Sequence, residues 1–309
     1  MGLINQINVT GFYIQGFSEL SRMQIPLFIL FLTLYLGILL GNMTVFAVVS
    51  LSPHLHKPMY IFLMNLSCID ITFTTNILPK LLHVLITQHN YISFAGCMTQ
   101  MSFFGSMVCS EILLLTAMAY DRYIAIYYPL YYVLRMSLRH CSVLVIATWV
   151  LGFLEFTGHA VLISKLSFCA SNVIEHIFCD VTTLLKLSCS DTFKVELLSY
   201  MEGALMTVNC FIFTLVSYVF IISAILNIQS SEGRNKAFST CSSHLTSVIM
   251  FYLTFLCLYM RPTTSYSPSR DKFFALLYVV INPLMNPFIY TLKNKEFQVS
   301  LKKFILLQE

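Results

Sequence analysis

Charge is what this sequence has least of. Only 10% of its 309 residues are Asp, Glu, Lys or Arg, against 57% hydrophobic. A soluble domain carries about a quarter charged residues, so a water-soluble globular protein is excluded. Glycine-rich phosphate cradles, zinc-protease motifs and nucleophile triads at water-accessible positions are also missing, which removes nucleotide-dependent and hydrolytic chemistry. The chain is therefore not read as an enzyme, and nucleic acid is not expected as a partner. No lysine occurs between Lys272 and Lys293, so the last apolar run offers no amine for a Schiff base to retinal. The first residues lack a basic start and the apolar stretch begins only near Leu27. No cleavable signal peptide is expected, and the first helix serves as the insertion signal.

What is present is a succession of long apolar runs, near Leu27–Ser50, Met59–Ile86, Gln100–Tyr127, Ser142–Ile163, Leu197–Leu226, Thr240–Met260 and Phe273–Leu292. A hydrocarbon core of about 30 Å needs about 20 apolar residues per helix. Lipid cannot satisfy backbone N–H and C=O groups, and these runs are too long for barrel strands, so the fold is all-α, a seven-helix membrane bundle. One domain is expected, with residues 1–25 as an extracellular amino terminus, 26–292 as the bundle and 293–309 as a cytoplasmic tail. Lys and Arg flanking the runs weakly favour that orientation: Lys57, Arg122, Arg135, Arg139, Arg234, Lys236, Lys293, Lys295, Lys302 and Lys303 fall inside. Arg22, Lys165, Lys186, Lys194, Arg261, Arg270 and Lys272 fall outside, with Lys80 ambiguous. The sequon at Asn8 agrees, since glycosylation needs the lumenal side. The amphipathic segment from Lys295 to Leu307 is expected to lie on anionic lipid.

The longest outer connection, roughly Ser164 to Glu196, holds Cys169, Cys179 and Cys189, and Cys97 sits at the outer end of the third run. Four cysteines facing an oxidising compartment suggest two disulfides, with three pairings open. Polar residues inside the runs are the other exceptions: Asn42, Asp70, Glu111, Asp121, Glu155, His159, Glu202, Asn209, His244, Asn282 and Asn286. Each is either a functional site or an interhelical hydrogen bond. Asp121 and Arg122 stand together at the end of an apolar run, where an unpaired charge is costly. They are either a functional pair or snorkelling anchors.

Several of these positions fall in strings that resemble the rhodopsin-like G-protein-coupled receptors, and among them the odorant receptors. The strings are Gly41-Asn42, Leu55-His56-Lys57-Pro58-Met59-Tyr60, Leu66-Ser67 with Asp70, and Met118-Ala119-Tyr120-Asp121-Arg122-Tyr123-Ile124-Ala125-Ile126. Ser217-Tyr218, the run from Lys236 to His244, and Pro283-Leu284-Met285-Asn286-Pro287-Phe288-Ile289-Tyr290 complete the set. The sequence departs from the family at Tyr127, usually Cys, at Leu253, usually Gly, and at Thr182-Thr183, often two prolines. Leu253 would narrow a pocket or tighten packing behind Tyr252.

The resemblance implies a receptor in the plasma membrane that binds small, mostly apolar volatile odorants and activates the olfactory stimulatory heterotrimeric G protein, raising cyclic AMP. It pairs Cys97 with Cys179 and Cys169 with Cys189, against free thiols or a metal site suggested by the spacing of His176 and Cys179. It places the ligand among Phe104, Gly105, Val108, Cys109 and Ile112, then Ser199, Glu202 and Met206, then Tyr252, Phe255 and Tyr259, and finally Leu276 and Val279. Such apolar stripes also serve as ordinary helix packing. An amine receptor is disfavoured because Phe104 stands where amine binders carry Asp. The switch residues would be Asp121, Arg122, Tyr123, Tyr218, His244, Asn286, Pro287 and Tyr290. Asp70 and Glu111, with Asn42 and Asn286 near, would hold a sodium ion, share protons, or form a static polar network. No other cofactor or metal is expected. The rival from another class is a helical transporter or channel, which predicts internal repeats and discontinuous helices that the sequence does not display.

Overall fold

The computed structural model describes residues 9–169, 171–259, 267–292 and 294–306. Asn8, Arg261 and Lys293 lie outside them, so the sequon is not placed. Six continuous helices are α1 (Gln24–Leu51), α2 (Pro58–Thr87), α3 (Phe94–Tyr127), α4 (Leu138–Ser164), α5 (Phe193–Leu226) and α6 (Ser231–Tyr259). The seventh, α7, runs through Pro268–Leu276, a π-helical turn at Leu277–Ile281, and Asn282–Leu292; α8 is Lys295–Leu306. All seven long helices are apolar enough to cross a membrane.

Hydropathy marks the hydrocarbon-embedded part of each helix and misses its polar ends. At 1.5 Å per residue the 34 residues of α3 extend about 51 Å, well beyond a core of about 30 Å. Accordingly α3 begins at Phe94 rather than Gln100, with the Ser93 hydroxyl accepting from the Gly96 N–H as its cap. Likewise α6 begins at Ser231 rather than Thr240. Pro58 opens α2, where the missing N–H costs nothing, and Gln88 ends it in a left-handed conformation at φ 61°.

Inside α7, Pro287 cannot donate to the Pro283 carbonyl four residues earlier. The Asn42 side-chain amide donates to that carbonyl instead, at 3.0 Å, tying α1 to α7. Glycine sets the fit of α3 against α4: a Cβ on Gly105 would run into the Phe156 ring, and one on Gly152 would come within 2.7 Å of the Ser110 backbone nitrogen.

A small sheet at the N-terminal face goes beyond an all-helical reading. Strand β1 (Gly11–Ile14) pairs antiparallel with β2 (Tyr91–Ser93), Phe12 opposite Ile92, and parallel with β3 (Val173–Ile174), Tyr13 opposite Val173. The residues just before α1 are thus woven into the structure, with Phe12 and Ile14 fully buried. Lys80 belongs to the same face, since its ammonium donates to the Tyr91 carbonyl at 2.7 Å. On the opposite face α8 folds back on the first loop. Phe297 is fully buried, Lys57 pairs with Glu296 at 2.7 Å, the Tyr60 hydroxyl donates to Asn294, and His54 meets the Ser300 hydroxyl.

Candidate functional site

The roof of the bundle is built from the chain between α4 and α5. Cys179 is joined to Cys97 at the start of α3, and Cys169 to Cys189 within the loop. Between these closures lies a short helix, Val181–Leu187, capped by Asp180, whose carboxylate accepts from the Thr182 N–H at 2.9 Å. A proline at 182 would have no such donor, so the Thr182 departure strengthens this cap. Gln100 adds a further tether, its side-chain oxygen accepting from the Cys179 N–H at 3.0 Å. Because Cys179 is consumed in the disulfide, it cannot be a thiolate ligand beside His176. His176 is buried against Phe178, and that burial lowers its pKa, favouring the neutral imidazole.

Beneath this roof lies a cavity of about 390 Å³. Phe104, Gly105, Val108, Cys109 and Ile112 supply its α3 wall, Ser199 and Met206 its α5 wall, and Phe255 and Tyr259 its α6 wall. Four other sequence candidates point elsewhere. Phe73, Phe104, Phe178 and Tyr278 fill the space toward α7, with Phe104 and Phe178 centroids 4.6 Å apart and Phe73 and Tyr278 5.1 Å apart. This aromatic plug leaves Val279 buried in the core and Leu276 packed against it, neither reaching the cavity. Tyr252 is taken up by Phe211 and Phe251. Glu202 turns from the cavity to His159, at 3.2 Å. Leu253 is 58% exposed on the outer surface of α6, so it neither narrows the pocket nor packs behind Tyr252.

The plug shifts the cavity toward α4 and the roof, and there the sequence reading missed walls. Glu155, Phe156 and His159 come from α4, while Asp180, Val181, Thr182 and Leu185 come from the loop. Glu155 and His159 did carry a signal, as polar residues in an apolar run. The loop residues carried none, because only the disulfides bring them over the bundle. The Tyr259 hydroxyl donates to Asp180 at 3.3 Å, linking α6 to the roof.

Below the plug, the buried acids each have a partner. Asp70 accepts from the Asn286 amide at 3.0 Å, and Glu111 accepts from the Tyr278 hydroxyl at 3.0 Å. The Asn42 side-chain oxygen is buried without a hydrogen-bond partner.

At the far end of α3, Arg122 is paired with Asp121, and both are buried, so they are not snorkelling anchors. The other Asp121 oxygen accepts from the Tyr132 hydroxyl at 2.8 Å, a partner the sequence did not suggest. His244 joins three helices: one ring nitrogen lies 3.1 Å from the Leu115 carbonyl, which must accept, leaving the other to accept from the Tyr218 hydroxyl at 2.7 Å. Tyr290 is buried nearby in α7, and Pro287 packs against Gly41. Tyr123 instead stacks on Tyr127 at 5.4 Å and contacts Phe220, so the Tyr127 departure enlarges an aromatic cluster between α3 and α5.

A cavity under a pinned roof at one end and an ion-paired α3 terminus at the other is a receptor layout, and comparison with known proteins identifies the kind. The olfactory receptor family profile matches residues 31–308. The chain belongs to the olfactory receptor family. It is 45% identical to human olfactory receptor 1F1 over 97% of this chain and 96% of that one, and 46% identical to human olfactory receptor 13A1 over 97% and 91%. Rat olfactory receptor 1f45 is 42% identical over 100% and 98%. The fold is similar to that of squid rhodopsin, with a TM-score of 0.71 over 93% of this chain and 86% of that one at 17% identity. This olfactory receptor is thus a multi-pass G-protein-coupled membrane receptor and not an enzyme, and the transporter or channel alternative falls away.

Proposed function

We propose that this receptor binds small, mostly apolar volatile molecules in the cavity below the roof and activates the olfactory stimulatory G protein, raising cyclic AMP. The observation that carries the ligand class is the cavity itself, covered by the loop helix and walled on α3 and α6 mainly by Met, Phe, Val and Ile side chains, with its polar groups gathered toward α4, α5 and the loop. In this reading the amino terminus, with a glycan on Asn8, faces outward and α8 lies on the cytoplasmic leaflet.

Activation is a population shift. An odorant that fits the active bundle better than the resting one favours outward movement of the inner end of α6. His244 ties α6 to Tyr218 of α5 and to the Leu115 carbonyl of α3, while Arg122 is engaged by Asp121, which also accepts from Tyr132. Releasing Arg122 from Asp121 opens a groove for the terminal helix of the G protein.

The polar layer beneath the plug suits a sodium ion. The carboxylates of Asp70 and Glu111 and the unpartnered Asn42 oxygen are the hard donors a monovalent cation takes. Bound sodium would supply a positive charge beside two buried acids and stabilise the resting bundle.

A panel of odorants tested for cyclic AMP in cells expressing the receptor decides the reading. Responses confined to small apolar members are expected. Silence to every member at verified surface density, or responses only to charged water-soluble compounds, would overturn it.

A further inference from the structure

A second hollow lies beside the first. Between α3, α4 and α5 is a groove of about 430 Å³, walled by Leu113, Leu151, Leu154, Glu155, Gly158, Glu202 and Met206. Glu155 and Met206 also wall the central cavity, so the two spaces adjoin at these side chains. The groove opens on the outer face of the bundle, where Leu151 is 51% and Leu154 66% exposed. Glu155 is nine residues from the end of α4 and Glu202 nine from the start of α5, about 14 Å at 1.5 Å per residue, so both carboxylates lie at one depth inside the membrane zone. Space is left on both sides of the boundary between groove and cavity: a Cβ on Gly158, which lines the groove, or on Gly203, which lines the central cavity, would meet nothing within 4 Å. A polar link across it is the His159–Glu202 contact at 3.2 Å. The roof, by contrast, is held by two disulfides and a capped helix.

We propose that the groove is a lateral antechamber through which ligands dissolved in the bilayer reach the cavity. The ligand class is an apolar molecule carrying one hydrogen-bond donor. Its tail lies along Leu151 and Leu154, its donor meets the Glu155 carboxylate, and parting of the His159–Glu202 contact admits it inward. A carboxylate facing hydrocarbon is costly unless partnered, and a donor from the ligand provides that partner. The proposal rests on the apolar-ligand reading above, and its test is scored without the G protein so that the two can fail separately.

The experiment uses the purified full chain in lipid nanodiscs loaded with a medium-chain alcohol bearing a diazirine, with photolabelled residues mapped by mass spectrometry. Labelling is expected on Glu155 and on cavity residues such as Cys109, above the level on the outward face of α1. Gly158→Trp and Leu113→Trp, which fill the groove from α4 and from α3 at positions that do not line the central cavity, should each lower cavity labelling by about tenfold, equivalent to about 1.4 kcal/mol. Labelling of α1 should stay unchanged, which shows that the variants remain folded in the membrane. Cavity labelling that persists in both variants, or groove labelling no higher than on α1, would sink the proposal. Cyclic-AMP responses of the same receptor to odorants delivered in water report separately on the signalling reading.

Discussion

At the scale of single residues, the buried Asp121–Arg122 pair is the most consequential charge in the protein. Breaking a buried pair from one side leaves its partner uncompensated, typically at about 3–5 kcal/mol. The two substitutions should therefore differ. Arg122→Ala leaves Asp121 still bonded to Tyr132, so surface density should stay near normal while odorant-driven cyclic AMP is lost. Normal signalling at equal density would remove Arg122 from the switch. Asp121→Ala strands a buried guanidinium and frees Tyr132 at once, and raised basal cyclic AMP is expected, read without any odorant. These residues were legible in the sequence because charge is so rare in it. Tyr132 was not, since one tyrosine among several in the short segment after α3 bears no mark of its target.

At the scale of elements, the long helices were legible because each carries an apolar run longer than a core helix needs. Their polar ends, the three-stranded sheet and the loop helix were not, because two- to four-residue strands leave no periodic signal. The disulfides make the loop helix a roof, and a double-mutant comparison tests the first of them. Cys97→Ser and Cys179→Ser should each prevent surface delivery, and the double variant should fare no worse than either single one. Additive losses would show that the two do not act as partners. The other face offers a pH test in α8. The hydrogen bond from Lys57 holds the Glu296 carboxyl below its ordinary range. A depressed carboxylate contributes stability above its unfolded pKa and loses it as pH falls through the folded one. Docking of α8 should therefore hold at neutral pH and loosen only below the ordinary carboxylate range. In Lys57→Gln, loosening should begin at a higher pH, followed by a spin label on α8; identical profiles would mean the pair does not hold the helix.

At the scale of the whole molecule, the aromatic plug divides the bundle into a cavity under the roof and a polar layer, and it explains why the candidates on α7 do not line that cavity. Spacing identified which face of α3 points inward, but only packing decides which neighbour fills the space in front of it. The polar layer gives a test of the two-state mechanism. A cation that favours the resting bundle must lose affinity when an agonist binds, and the coupling is reciprocal. Raising sodium in membranes with both faces accessible should lower basal activity and agonist potency together. Glu111→Gln should flatten that dependence while leaving odorant selectivity intact, because Glu111 sits below the plug. A wild-type receptor indifferent to sodium would reduce Asp70 and Glu111 to a static network.

The small sheet bears on how the protein is made. Strand β1 sits between β2, some eighty residues later, and β3, some hundred and sixty later. Contacts of such long range form only after the intervening chain exists. The first strand synthesised is therefore placed late, its apolar Phe12 and Ile14 waiting uncovered while four helices are inserted and the loop beyond them is translated. Covering that strand waits on the loop after α4, and any delay in oxidising the loop lengthens the interval in which quality control can bind the waiting segment.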